Sequence, residues 1–353
     1  MLSSGHPRNT LRALLPLAVV FAVALAALLP ATARAQSYPT LTQIQSAASD
    51  SGWTAASNPI WNLTWTEKGK RLGFIVPDSD EDDLGPRSHV VPADSLPASW
   101  DWRNVNGSSY VSSVKNQGSC GSCWAFAACG ALESLREIHN DTGCAIENLS
   151  EQFLVSCSKA NSGCSGGNAP GTANCLRDTG TVSEACFPYT AKDDPCSDRC
   201  DDWQSEVRSI SGWSYSSSLP RFPTLNELKS SVKRAPVWTT FLVYADFYAY
   251  NSGVYRHVIG PLMGGHAVLM VGYNDTTRSF TCKNSWGSSW GENGYFRVAY
   301  SQLPPGGCQF GRWTQDYYLG LVACLPYEPD DQAEFDWHSV AGPAIANRDE
   351  LHP

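Results

Sequence analysis

The chain has 353 residues, 42% hydrophobic and 17% charged, enough apolar material for one large or two medium domains, which excludes disorder as the overall reading. A formal net charge of -9 excludes the basic footprint that neutralises phosphates, so nucleic acid is not an expected partner.

Residues 1–35 carry Arg8 and Arg12, an apolar run from Ala13 to Pro30 and the small-residue ending Ala33-Arg34-Ala35. This is the pattern of a secretory signal peptide; a membrane anchor is the alternative, and Pro16, Pro30 and the A-x-A ending favour cleavage. No later stretch is apolar enough to span a bilayer, so no membrane association is expected after signal removal. The secretory pathway, ending outside the cell or in a lysosome- or vacuole-like compartment, is the expected location. Its oxidising chemistry pairs cysteines, and the 13 present are an odd number, which leaves at least one thiol without an intramolecular partner.

Residues 36–95 contain no cysteine and include the acidic run DSDEDD at 78–83. They read as a removable pro-segment, with a short N-terminal subdomain as the alternative, and the boundary falls near Leu96-Pro97. Beyond it, QGSCGSCW from Gln117 holds a C-x-x-C pair with three readings: a redox couple, half a zinc site, or two cysteines with separate fates. No βαβ pattern surrounds Cys120, and the nearest second pair, Cys196 and Cys200, lies among other cysteines on an oxidising route. The third reading is favoured.

Apolar Phe126, Leu132, Leu135 and Ile138 recur at helical spacing and predict a helix from Cys123 to the breakers at 140–143. A thiol at a helix N-terminus is stabilised as thiolate by unpaired N–H groups and the macrodipole. Ser150 caps a second predicted helix, and Thr224 with Glu227 forms a capping-box pattern for a third. Short β-type runs follow from Val237, Ala267, Phe280 and Tyr295. Helices first and strands later predict an α+β architecture, with helical residues 96–210, β-rich residues 211–325 and a cleft between them. Residues 326–353 read as a polar C-terminal extension.

A nucleophilic thiol needs a base, and the seven histidines sort by position. His6, His89, His338 and His352 fall outside the domain, and His139 would sit about 24 Å from Cys123 along one helix. His257 and His266 remain; His266, beside Gly264 and Gly265 at a predicted strand start, is favoured. Asn284, in KNSWGSSWG, is placed to accept from the far imidazole nitrogen, with Trp286 as cover.

These residues resemble the papain family of cysteine peptidases, whose C-G-[SA]-C-[WY] signature is matched at Cys120–Trp124. Further markers are LSEQ at Leu149, GCSGG at Gly163, GGHAV at Gly264 and KNSWG at Lys283. The resemblance runs from about Leu96 to Trp313 and is closest to the cathepsin B branch, but without the paired histidines of its occluding loop, so an endopeptidase is expected over an exopeptidase or a non-catalytic binding protein. It implies a two-lobed fold, a helical lobe and a β-barrel-like lobe with the active site between them. It implies a catalytic Cys123/His266 thiolate-imidazolium pair oriented by Asn284, and an oxyanion hole made by Gln117 and the Cys123 N–H. Gly166, Gly167, Gly265 and Trp286 are the implied substrate-binding residues, with Trp313 near the floor of the S2 pocket. Disulfides Cys120–Cys164 and Cys157–Cys196 are implied, and Cys282–Cys308 is added; Cys129, Cys144, Cys175, Cys186, Cys200 and Cys324 are left unassigned. No cofactor and no metal are implied. The expected partners are protein or peptide substrates, the chain's own pro-segment as inhibitor and protein inhibitors of cysteine peptidases, met by a monomer. Asn62, Asn106, Asn140, Asn148 and Asn274 begin glycosylation sequons.

Overall fold

The computed structural model describes residues 37–77, 86, 96–140, 146–217 and 222–320. The expected signal peptide, the acidic run 78–83 and the C-terminal extension lie outside them, as do Cys144 and Cys324. Everything below belongs to one unit, Tyr38–Pro353.

Two short helices precede the acidic run, α1 (Leu41–Asp50) and α2 (Trp65–Gly69), each opened by a capping box, Thr40 with Gln43 and Thr64 with Glu67. Between them lies β1 (Trp53–Ala55). The next elements are β2 (Ser99–Asp101), α3 (Cys123–Asn140), α4 (Glu151–Cys157) and α5 (Ala169–Asp178). α3 spans the range its periodicity predicts, and α4 is capped by Ser150 Oγ, which accepts from Phe153 N at 3.0 Å. α5 was not anticipated, although Asn168 followed by Pro170 is a helix-start signal; Asn168 Oδ1 accepts from Gly171 N at 2.7 Å.

The second half contains β3 (Gly212–Tyr215), α6 (Leu225–Arg234), β4 (Val237–Tyr244), β5 (Tyr250–Tyr255), β6 (Leu262–Asn274), β7 (Ser279–Lys283), β8 (Tyr295–Ala299) and β9 (Gln315–Tyr318). The described strands run in the order β1-β5-β8-β7-β6-β4-β9-β3, with β2 paired to β6. Two features cross the expected division. β2 contributes to the β-rich half from the start of the helical half, and β1, from the pro-segment, extends the sheet by pairing antiparallel with β5. β6 begins five residues before the expected start, because Leu262–Gly265 also pair with β4. His266 therefore sits inside a strand, opposite Phe241.

α3 is the central helix. Every residue from Cys123 to Ser134 is buried, against α4 and α5 on one side and β4 and β6 on the other. Trp238 Nε1 on β4 donates to Trp124 O on α3 at 3.1 Å, tying the two halves together next to the nucleophile candidate.

Disulfides join Cys120 to Cys164, Cys157 to Cys196 and Cys186 to Cys200. The expected Cys282–Cys308 bridge is corrected: both are buried free thiols. Cys282 lies in the middle of the sheet, in register with Met270 and Phe296. The Cys308 thiol instead meets the Tyr255 hydroxyl and the His257 backbone amide. Cys129 and Cys175 are also buried thiols.

α6 keeps its predicted box, with Thr224 N donating to Glu227 Oε2 at 2.6 Å and Glu227 N to Thr224 Oγ1 at 3.3 Å. Thr224→Ala is expected to lower the unfolding free energy of the precursor by about 1 kcal/mol in urea titrations, leaving Cys123 chemistry unchanged.

Candidate active site

Cys123 is the first residue of α3, whose opening turn is made by Ala125 N and Phe126 N donating to Ser122 O. Its partner in the C-x-x-C, Cys120, is spent in the bond to Cys164, so the two cysteines have separate fates. The Cys123 Sγ is fully buried and accepts from Ala267 N at 3.4 Å, which brings β6 against the thiol at the residue after His266.

The His266 ring is fixed by Asn284. His266 Nε2 lies 2.8 Å from Asn284 Oδ1, and the same oxygen accepts from Ser285 N at 2.8 Å. A peptide N–H can only donate, so the shared atom is the amide oxygen, and Nε2 must carry the imidazole proton. That leaves Nδ1 as the basic lone pair, without a hydrogen-bond partner among the described residues. Trp286, 1% exposed, lies 4.9 Å from the His266 ring and stacks on Tyr248, shielding the bond from water. The other candidate, His257, is engaged elsewhere: Nδ1 is 3.1 Å from Asp246 Oδ2 and the ring stacks on Tyr244 at 3.8 Å.

Gln117 is held at all four polar atoms. Its N donates to Ser285 O at 2.9 Å and its O accepts from Tyr189 Oη at 2.8 Å. Oε1 accepts from Ser285 Oγ at 2.6 Å, and Nε2 donates to Cys120 O at 2.8 Å and to Arg71 O at 3.0 Å. The last contact comes from the pro-segment.

Residues 71–75 run through the cleft. Gly167 N donates to Gly73 O at 2.8 Å, Ile75 N to Gly167 O at 2.9 Å, and Phe74 N to Gly265 O at 3.1 Å. Gly166 and Gly167 thus sit against an extended chain that pairs with Gly167 in parallel sense and with Gly265 antiparallel. The Phe74 ring lies 5.8 Å from Trp238 and 5.1 Å from Trp313, so Trp313 lines an apolar slot already occupied by a phenyl ring. Glycine is the only residue type that fits at position 73: a Cβ there would stand 1.7 Å from Gly121 O. The Gly73 amide is near enough to the Cys123 Sγ to oppose the effect of burial on the thiol.

This cover changes the charge state. Burial pushes the Cys123 thiol up to about 11, against the opposing pull of the Ala267 and Gly73 amides, and pushes His266 down to about 4 despite its bond to Asn284. At neutral pH the covered pair is a thiol beside a neutral imidazole. The helix N-terminus that favours a thiolate is outweighed by desolvation.

Ser285, Tyr189, Arg71, Gly73 and Phe74 were missed in the sequence. The only signals were the position of Ser285 directly after Asn284 and a lone glycine between apolar Leu72 and Phe74. Among the described residues, one cluster of metal-ligand types stands together, Cys200, Asp202 and Glu206, and the Cys200 sulfur is committed to its disulfide with Cys186.

A helical and a β-rich half, with a cysteine at a helix N-terminus facing a histidine-asparagine pair across a cleft, define a cysteine-type hydrolase. The family model described as papain family cysteine protease matches residues 96–312, and the chain belongs to that family. It is similar to "Cathepsin B-like CP2" of Giardia intestinalis, 36% identical over 60% of this chain and 72% of that one. It is likewise similar to "Cathepsin B" of Dictyostelium discoideum, 34% identical over 69% and 86%. Digestive procathepsin L 3 of Tenebrio molitor larval midgut shares the fold with a TM-score of 0.63, 27% identity, and coverage of 79% of this chain and 88% of that one. The likeness to a procathepsin and the occupied cleft both support the zymogen form.

Two outcomes are expected for the precursor. Alkylation of Cys123 by iodoacetamide at neutral pH should be slower in the precursor than in the processed chain by about tenfold or more, because the covered sulfur is fully buried and held as the thiol. Gly73→Ala should raise that rate at neutral pH by about tenfold or more, since its Cβ cannot be seated and the cover must lift.

Proposed function

We propose that the chain is the precursor of an endopeptidase routed through the secretory pathway, in which Cys123 attacks peptide carbonyls once the pro-segment is removed near Leu96. The carrying observation is the proton placement at His266, with Nε2–H committed to Asn284 and Nδ1 left as base on the strand whose next amide touches the Cys123 sulfur. Removing residues 71–75 admits water, and the proton can then pass from Sγ to Nδ1, giving the thiolate-imidazolium pair.

The thiolate adds to the carbonyl carbon, and the C=O electron pair moves onto oxygen, where the Gln117 Nε2–H and the Cys123 N–H receive it. Collapse of this intermediate breaks the C–N bond as imidazolium His266 protonates the leaving amine, leaving a thioester. Water, deprotonated by His266, then adds to the thioester and releases the acid and the Cys123 thiol.

The occupied cleft supports the pro-segment as inhibitor. Gly73 lies over the sulfur, and the Arg71 carbonyl takes the Gln117 Nε2 donor. The slot holding Phe74 is read as the pocket for an apolar substrate side chain, lined by Trp238 and Trp313. An endopeptidase is favoured over an exopeptidase because residues 158–206 contain no histidine to neutralise a substrate's C-terminal carboxylate. Protein substrates and protein inhibitors would compete for the same glycine-lined edges, on a monomer.

The test is to remove the pro-segment, assay peptide hydrolysis, label with a thiol-directed inhibitor and map label and disulfides by mass spectrometry. Label on Cys123 is expected, with loss of hydrolysis in Cys123→Ala. Hydrolysis that survives Cys123→Ala, or a Cys120–Cys123 bridge, would sink the reading. Gln117→Ala should lower kcat by roughly a hundredfold and leave the alkylation rate of Cys123 unchanged.

A further inference from the structure

We propose that Tyr189 is a positioning residue for the oxyanion donor, acting through the backbone of Gln117 and not on the substrate. This rests on the peptidase reading above and assigns a role to a residue outside the cysteine, histidine, asparagine and glutamine set.

The Tyr189 hydroxyl lies 2.8 Å from Gln117 O and 2.6 Å from Ser122 Oγ. A phenol has one proton, and a carbonyl can only accept, so that proton goes to Gln117 O. The Ser122 hydroxyl must then donate to the phenol oxygen. The resulting chain, Ser122 O–H to Tyr189 O–H to Gln117 C=O, closes the loop 117–122 across its mouth. One end of that loop carries the side-chain oxyanion donor and the other precedes Cys123. The two groups that must hold one developing charge are thereby fixed relative to each other.

Tyr189 is itself immobilised. Its backbone N donates to Glu184 Oε1 at 2.8 Å, and its ring meets Phe126 of α3 edge-on at 4.8 Å. Burial raises its pKa, which keeps the hydroxyl a donor. The stretch 186–196 that carries it is fastened at its two ends, by Cys186–Cys200 and Cys157–Cys196. Ser285 grips Gln117 from the β-rich half through its N–H and Oε1, and Tyr189 supplies the opposing grip from the helical half. Removing the phenol oxygen leaves the Gln117 carbonyl without this donor and lets the loop open by a few tenths of an ångström, on the order of the tolerance of a preorganised site.

The experiment uses the processed enzyme as wild type, Y189F, Q117A and the double variant. The readouts are kcat and KM on a peptide substrate, inhibition by a peptidyl aldehyde, and the rate of alkylation by iodoacetamide. The aldehyde forms an oxyanion-like adduct, whereas alkylation at a saturated carbon forms none. Y189F is expected to lower kcat roughly tenfold with KM within about twofold, to weaken the aldehyde in parallel, and to leave alkylation unchanged. In the Q117A background Y189F should cost nothing further. Should Y189F fail to fold, Ser122→Ala removes the first link alone and should give a smaller loss of the same pattern. A Y189F enzyme with unchanged kcat, an equal loss of hydrolysis and alkylation, or a loss that persists without Gln117 overturns the assignment. A wild type that cannot hydrolyse peptides overturns the peptidase reading and this one with it, which is distinct from an active wild type indifferent to Y189F.

Discussion

The hydrogen bond from His266 Nε2 to Asn284 Oδ1 sets the polarity of the cleft, because it decides which imidazole nitrogen carries the proton and which keeps its lone pair. It is held in place by Ser285, whose N–H shares the same amide oxygen and whose hydroxyl binds Gln117 Oε1 at 2.6 Å. One serine therefore holds both the Asn284 oxygen that fixes His266 and the side-chain amide of Gln117. Trp286 covers this chain and is backed by Tyr248, Phe247 and Trp290. Excluding water there strengthens each bond and raises the cost of breaking any one of them.

The loop feeding this chain stands on a buried charge cluster. Lys115 Nζ lies 2.7 Å from Glu151 of α4, 3.3 Å from Glu133 of α3 and 3.0 Å from Leu149 O. Lys283, one residue before Asn284, donates to Ser112 Oγ at 2.8 Å, and that hydroxyl in turn bonds Glu133. Burial alone would lower the Lys115 pKa, but the two carboxylates raise it, so it stays charged. Such a cluster contributes little net stability, yet removing one member strands a charge. Its effect is registration: α3, α4, the 112–115 segment and the end of β7 are locked relative to one another just before Asn284.

Local patterns made part of this legible. The start of α3 at Cys123 and the caps at Ser150 and Thr224 depend on nearest neighbours in sequence, and these are where expectation and structure agree. The two bridges that the resemblance implied formed, whereas the added Cys282–Cys308 bridge did not, because a disulfide depends on which way two side chains point in a folded sheet. Tyr189 and Ser285 were invisible for a different reason. A hydroxyl gains its role from the carbonyl or amide it meets, and those partners lie 72 and 168 positions away in the chain. Gly73 could be seen as a glycine but not as a necessity, because the atom that requires it is Gly121 O.

The bonds that fill the cleft are available to almost any extended chain. Gly167 N–H, Gly167 O, Gly265 O and Gln117 Nε2–H meet backbone atoms of residues 71–75, and a substrate backbone offers the same atoms. Exchanging one peptide for another at these positions is close to neutral, so the cleft contacts alone cannot hold the pro-segment against competing substrate. The difference must come from contacts a short substrate lacks. Trp53 on β1 packs on Tyr250 and Tyr255 beside a shared strand edge. Farther along, the Lys68 ammonium lies 4.4 Å from the Trp61 ring and 3.9 Å from that of Trp65, while Tyr248 donates to Lys68 O at 3.2 Å. These aromatic anchors lie on β5 and the turn before it, outside the cleft, so a break between them and Gly73 would convert a tethered inhibitor into an ordinary peptide.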